Sequence, residues 1–178
     1  RLGISAGIDA ARMAFAGASG GPIKYRTEVA GGVHGEVTLS RTVGLQLEVN
    51  YAAQGAALAS EDLSSVGSYQ LNYITVPLLV KLYGTPRLSF IVGPQAGFLV
   101  SANMKSLGQD KEDAKSQFKS SDFYGVFGVE YRFDNGIFFG GRYSASLSNS
   151  FDVEDQPGYE AHNRYFSFRI GYAFSVGK

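Results

Sequence analysis

Apolar and polar residues alternate along most of this chain with a period of two, which is the pattern of β-strands whose two faces meet different surroundings. The alternation is plainest over residues 165–176. Phe166, Phe168, Ile170, Tyr172, Phe174 and Val176 share one face there, and Ser167, Arg169, Gly171, Ala173 and Ser175 share the other. The same reading predicts strands over residues 2–10, 25–39, 43–53, 69–83, 87–102, 122–133 and 137–148, eight in all. Loops are expected over residues 16–22, 55–67, 103–121 and 149–163, and tight connections at Ser40–Thr42, Gly84–Pro86 and Asp134–Gly136, the last a strong hairpin signal. Residues 112–117 could form a helical turn, but their mixed charges read better as solvated loop. Pro77 and Pro94 each delete a ladder donor, so a bulge or irregularity is expected at those points.

Connections that run long, short, long, short, long, short, long describe an up-and-down meander with both termini on the short-turn side. Face parity agrees. Centring the first turn on Arg41 pairs Leu39 with Val43 and Val37 with Leu45. Centring the second on Thr85 pairs Leu82 with Leu88 and Val80 with Phe90, and centring the third on Asn135 pairs Phe133 with Ile137 and Tyr131 with Phe139. Each hairpin keeps apolar opposite apolar, as a three-residue turn must.

The polar faces collect Asp9, His34, Glu36, Gln46, Glu48, Asn50, Lys81, Gln95, Glu130, Arg132, Arg142 and Arg169. A soluble barrel would need its apolar face inside, and a sandwich would carry more Lys and Glu outside. An aromatic face opposite a charge-balanced one instead predicts an all-β fold: an eight-stranded antiparallel up-and-down transmembrane β-barrel with a filled polar lumen. Strand edges in lipid would leave backbone groups unpaired, so closure is required. Gly7, Gly128, Gly140 and Gly171 fall on the inner face, with Gly128 opposite Arg142 and leaving it room. Tyr25, Tyr51, Tyr69, Tyr83, Phe133 and Tyr165 near strand ends suit interfacial girdles, and read equally as ordinary strand formers.

Composition adds bounds. The 178 residues suit a single domain over 1–178, with 23 Gly, 13 Phe and 11 Tyr, and 16 basic residues balanced by 16 acidic ones. That balance points to no nucleic acid. Without cysteine there is no disulfide framework or thiolate metal site. No apolar run approaches the roughly 18 residues of a spanning helix. The chain opens directly into a strand pattern, so an exported protein of this kind would have had its leader removed.

Several segments then resemble a known family. Leu71-Asn72-Tyr73-Ile74-Thr75-Val76-Pro77-Leu78-Leu79-Val80-Lys81 resembles the Tyr-x-x-Ile-Pro-Leu-Leu-x-Lys strand of the PorT-like outer membrane protein beta-barrel family common in Bacteroidota, with Val76 before the proline. Val92-Gly93-Pro94-Gln95-Ala96-Gly97 resembles its Gly-Pro-x-x-Gly segment. The closing Phe168, Ile170, Tyr172 and Phe174 resemble the β-signal read by the outer-membrane insertion machinery, although this chain continues past the final aromatic. The resemblance implies a cell outer membrane location, periplasmic termini and extracellular long loops, and fixes activity poorly.

Gly17–Gly21 lacks the Lys-Ser/Thr of a phosphate loop. His34 and His162 have no metal-ligand spacing. His34 pairs with Glu48 across a hairpin, which reads as a lumen hydrogen bond rather than a dyad. His162 with Ser150 and Asp152 could form a loop triad, with solvated loop as the plainer reading. The residues of interest are thus a lumen network of Asp9, His34, Glu36, Glu48, Lys81, Glu130, Arg132, Arg142 and Arg169, with no catalytic residue, cofactor or metal expected. The expected function is a non-enzymatic structural or accessory subunit of an outer-membrane complex. The expected partners are phospholipid, lipopolysaccharide, the insertion machinery and another outer-membrane complex. The alternatives are a small porin-like channel, a lipid A-modifying enzyme and a soluble barrel.

Overall fold

The computed structural model describes residues 1–16, 26–58, 67–105, 112–113, 120–147 and 160–175. The strands are β1 (Leu2–Ala16), β2 (Arg26–Thr38), β3 (Val43–Leu58), β4 (Gly67–Tyr83), β5 (Leu88–Lys105), β6 (Glu112–Asp113), β7 (Ser121–Arg132), β8 (Ile137–Ser146) and β9 (Glu160–Phe174). Every pairing is antiparallel. The ring runs β4-β3-β2-β1-β9-β8-β7-β5 and closes through β4 and β5, so eight long strands form a barrel. β6 is a two-residue strand on β5, where the sequence suggested loop or helical turn. The seam joins the first and last strands, from Leu2 against Phe174 to Ala16 against Glu160.

Alternation decides which face is which. On β9, Phe166, Phe168 and Ile170 are 57%, 52% and 55% exposed, whereas Ser167 and Arg169 are each 6% exposed. The apolar face is therefore outermost, the reverse of a soluble barrel, and it continues around the ring through Ile4, Val33, Leu47, Val80, Phe90, Phe127 and Phe139. So continuous an apolar exterior requires an apolar solvent.

Three short turns lie at one end. Ser40 Oγ accepts from the Thr42 and Val43 amides at 3.2 and 3.1 Å, and Thr85 Oγ1 accepts from those of Arg87 and Leu88 at 3.3 and 2.9 Å. In the third, Gly136 takes φ +92°, and a Cβ there would lie 2.7 Å from the Ala173 carbonyl, so the turn needs glycine on both counts. The turns after β2 and β7 centre on Arg41 and Asn135, as the parity argument expects. The middle one differs: Leu82 pairs with Phe90 and Val80 with Val92, not with Leu88 and Phe90. Its centre is Pro86, whose fixed φ suits a turn position. A one-residue shift of centre moves each pair by two residues, so every face is kept.

The expected irregularity at the prolines is an interruption of pairing rather than a bulge: the β3–β4 ladder skips Pro77, and the β4–β5 ladder skips Pro94. Register is the same on both sides of Pro77 and Pro94, and the shift falls instead between Asn72 and Tyr73. Pro77 still pairs with Gln95, and Pro94 with Gly125. A missing donor thus removes a bond without displacing the strand. The strands also run further than the apolar alternation indicated, β1 to Ala16, β3 to Leu58 and β9 back to Glu160. Backbone pairing continues where side chains no longer need to alternate.

Candidate functional site

The interior is organised around Glu36 on β2 and Lys81 on β4. Lys81 is fully buried, and its ammonium donates to Glu36 Oε2 at 2.9 Å, Gln46 Oε1 at 3.0 Å and Glu130 Oε1 at 2.6 Å. All three ammonium hydrogens therefore have acceptors. Arg132 grips Glu36 with both terminal nitrogens, at 3.0 and 2.5 Å, and donates to Glu130 at 2.9 Å. The Tyr83 hydroxyl at 3.0 Å and Arg1 NH1 at 2.8 Å complete the shell of Glu36. Burying this many charges is tolerable only because each meets an opposite one.

A second group lies on β3 and β8. Glu48 accepts from Gln46 at 2.5 Å, Asn50 at 2.9 Å and Arg142 NH1 at 2.7 Å. Arg142 has room because Gly128 stands opposite it: a Cβ on Gly128 would lie 2.9 Å from both Cα and Cγ of Arg142. A third pair, Arg169 to Asp9 at 2.6 Å, bridges the seam. In the ring order, β2 is diametrically opposite β7, and β3 is opposite β8. The Glu36–Arg132 and Glu48–Arg142 contacts therefore cross the full width of the lumen.

All nine residues singled out in the sequence face the interior, Arg132 less deeply than the rest. His34 stands opposite Glu48 in the register, but Glu48 spends its carboxylate on Gln46, Asn50 and Arg142. His34 instead meets the Phe138 ring edge-on at 5.3 Å between centroids. His162 lies in strand β9 opposite Ala14, not in a loop; Ser150 and Asp152 lie outside the described residues.

Two residues assigned to the girdles belong to the lumen. Tyr83 reaches in to Glu36, and Tyr165 is 4% exposed with its hydroxyl accepting from Gln95 at 2.5 Å. Both share parity with residues already placed inside, Lys81 and Ser167, and parity should have decided. Tyr51 and Phe133 do face outward; Tyr25 and the side chain of Tyr69 lie outside the described residues. Sequence reasoning also missed Arg1 and buried Asp122, which accepts from Ser146 Oγ at 2.7 Å. It further missed that one lumen wall is apolar: Leu79, Ile91 and Val126 pack together, and Tyr124 meets Tyr165 edge-on at 5.7 Å.

A family model described as "Outer membrane protein beta-barrel domain" matches residues 1–152. The chain belongs to the outer membrane protein beta-barrel domain family. Membership puts the barrel in an outer membrane, where its outward aromatic and branched side chains contact lipid. Among solved structures, Ail, the attachment invasion locus protein of Yersinia pestis, solved in complex with the heparin analogue sucrose octasulfate, is 14% identical over 97% of each chain, with a TM-score of 0.58. Neisserial surface protein A is 10% identical over 97% of each chain, with a TM-score of 0.64. The outer membrane enzyme PagL is 12% identical over 94% of this chain and 99% of its own, at a TM-score of only 0.39. At such identities the likeness of Ail and Neisserial surface protein A speaks for the fold alone, and that of PagL carries no argument. No curated protein matches the chain.

Proposed function

We propose that this family member is a non-enzymatic barrel, one domain over its whole length, serving as a structural or accessory subunit of an outer-membrane complex. Its short turns and termini are periplasmic and its longer connections extracellular. Within the family it stands with the PorT-like barrels of Bacteroidota. The observation that carries this reading is the lattice of cross-lumen ion pairs: cations and carboxylates that could serve catalysis or conduction are spent on one another, across the diameter of the barrel. Its partners are phospholipid, lipopolysaccharide, the insertion machinery and a further outer-membrane complex reached through its outer connections.

A small channel is the second reading. Asp9 Oδ2, His34 Nε2, Glu130 Oε2 and Arg142 Nε are buried without a hydrogen-bond partner. Such atoms favour ordered water in the lumen, which conduction would require. Recording from the purified barrel in planar bilayers separates the readings. A silent membrane is expected; a stable conductance that Arg142→Ala alters would establish the channel instead. A lipid A-modifying activity lost on His34 substitution would overturn both.

Orientation has its own test, made clean by the absence of cysteine. In intact cells a membrane-impermeant maleimide should label Ser60→Cys in the connection after β3 and spare Asn135→Cys in the β7–β8 turn. The opposite pattern would reverse the assignment.

A further inference from the structure

We propose that the short-turn end of the barrel holds a site for the phosphate headgroup of an anionic phospholipid, built on Arg1 and Arg41. A groove there runs between the β2–β3 and β4–β5 turns, lined by Arg1, Arg41 and the residues Thr38, Ser40, Thr42 and Thr85. Two guanidinium groups beside several hydroxyls are the donor set that a phosphate diester recognises, and a guanidinium fork matches two of its oxygens at once.

The charge around this end singles out those two cations. Arg87 and Asp134 are an ion pair, with an NH2–Oδ2 separation of 2.5 Å. Lys81 and Arg132 are matched by Glu36 and Glu130, and Arg142 by Glu48. Arg1 adds a further positive charge to an already neutralised Glu36, and its side chain stays 43% exposed. Arg41 is exposed and makes no ion pair among the described residues. The uncompensated charge of this rim therefore sits in the groove.

Depth fits as well. Val37 on β2 and Leu39 just past its end are 62% and 64% exposed, and Leu45 and Leu82 continue the outward apolar belt on the adjacent strands. Arg41 lies just past Leu39, at the level where the belt ends and headgroups begin. That the lipid is a phospholipid rather than lipopolysaccharide rests on the periplasmic placement of the turns proposed above. The binding test does not depend on that placement, so the two fail separately.

The full chain, purified in nonionic detergent, would be titrated with dioleoyl phosphatidylglycerol or with dioleoyl phosphatidylcholine of equal chain length and followed by native mass spectrometry. One basic contact at a membrane surface corresponds to about fivefold in affinity, so a preference of about that size or more for phosphatidylglycerol is expected. Arg41→Gln should abolish most of it, Arg41→Lys should retain part, and Arg164→Gln near the opposite end of β9 should leave it unchanged. The side-chain hydrogen bonds of this turn are accepted by Ser40 Oγ from the Thr42 and Val43 amides, so the Arg41 variant leaves them in place. No preference in the wild-type barrel, a preference that survives Arg41→Gln, or an equal loss in Arg164→Gln would overturn the site. Displacement of the lipid by millimolar inorganic phosphate would overturn the lipid headgroup as its ligand.

Discussion

Lys81 carries a charge with no access to water, and its stability depends wholly on three acceptors. Lys81→Met keeps the volume and removes the cation, leaving Glu36 and Glu130 facing each other across its place. Breaking a buried pair from one side costs on the order of 3–5 kcal/mol. Urea unfolding of the detergent-solubilised barrel should show a loss of that size, and Lys81→Met combined with Glu130→Gln should recover much of it. A neutral single variant would mean that water replaces the ammonium. At this scale legibility followed parity: every buried charge singled out could be placed by its alternation with the apolar residues beside it in the strand. Tyr83 and Tyr165 were misplaced because residue type was weighed above parity. A tyrosine near a strand end suits an interface, but its neighbours Lys81 and Ser167 already fixed the side it takes.

The eight long strands were all recognisable, and so were their ends at the short turns, as at Val43, Tyr83 and Ile137, whereas several far ends were not. Alternation persists only while one face meets lipid, whereas hydrogen bonding continues for as long as neighbours remain in register. The sequence therefore marks the apolar belt, and the ladder extends past it, as where Ala57 pairs with Ser68 and Met13 with Asn163. The middle turn was misjudged by one residue because Gly84 and Pro86 are both turn formers, and nothing in the chain ranks them. Strand β9 bears a prediction of its own. Phe174 and Tyr172 stack edge-on at 4.8 Å on the outward face and close the proposed insertion signal. Phe174→Ser should reduce the amount of folded barrel in cell outer membranes. Refolding of the same variant into preformed phosphatidylcholine vesicles should match wild type, because no machinery reads the signal there. Equal loss in both settings would mark Phe174 as a lipid contact only.

The ring as a whole was predictable from closure: a membrane admits no free strand edge, so eight strands with one apolar face had to meet end to end. What linear pattern could not convey is which lumen residues touch, since Glu36 and Arg132 lie 96 residues apart and on opposite walls. Folded barrels resist detergent and migrate differently on gels before and after heating. Wild type should show that shift. The double variant Arg132→Met with Arg142→Met, which cuts both diametric contacts, should still show it but convert at a lower temperature. Unchanged conversion would mean that the backbone ladder alone sets barrel stability.

Those two contacts also have a mechanical meaning. A closed ring of eight strands resembles a thin hoop, and a bilayer presses on it unevenly. Hoops yield by flattening into an ellipse, a deformation that lengthens one diameter while it shortens the other. Glu36–Arg132 and Glu48–Arg142 span different diameters, so no ellipse can form without stretching or crushing one of them. They act as crossed spokes, holding the outer wall round and its apolar surface evenly presented to whatever lies beside it in the membrane.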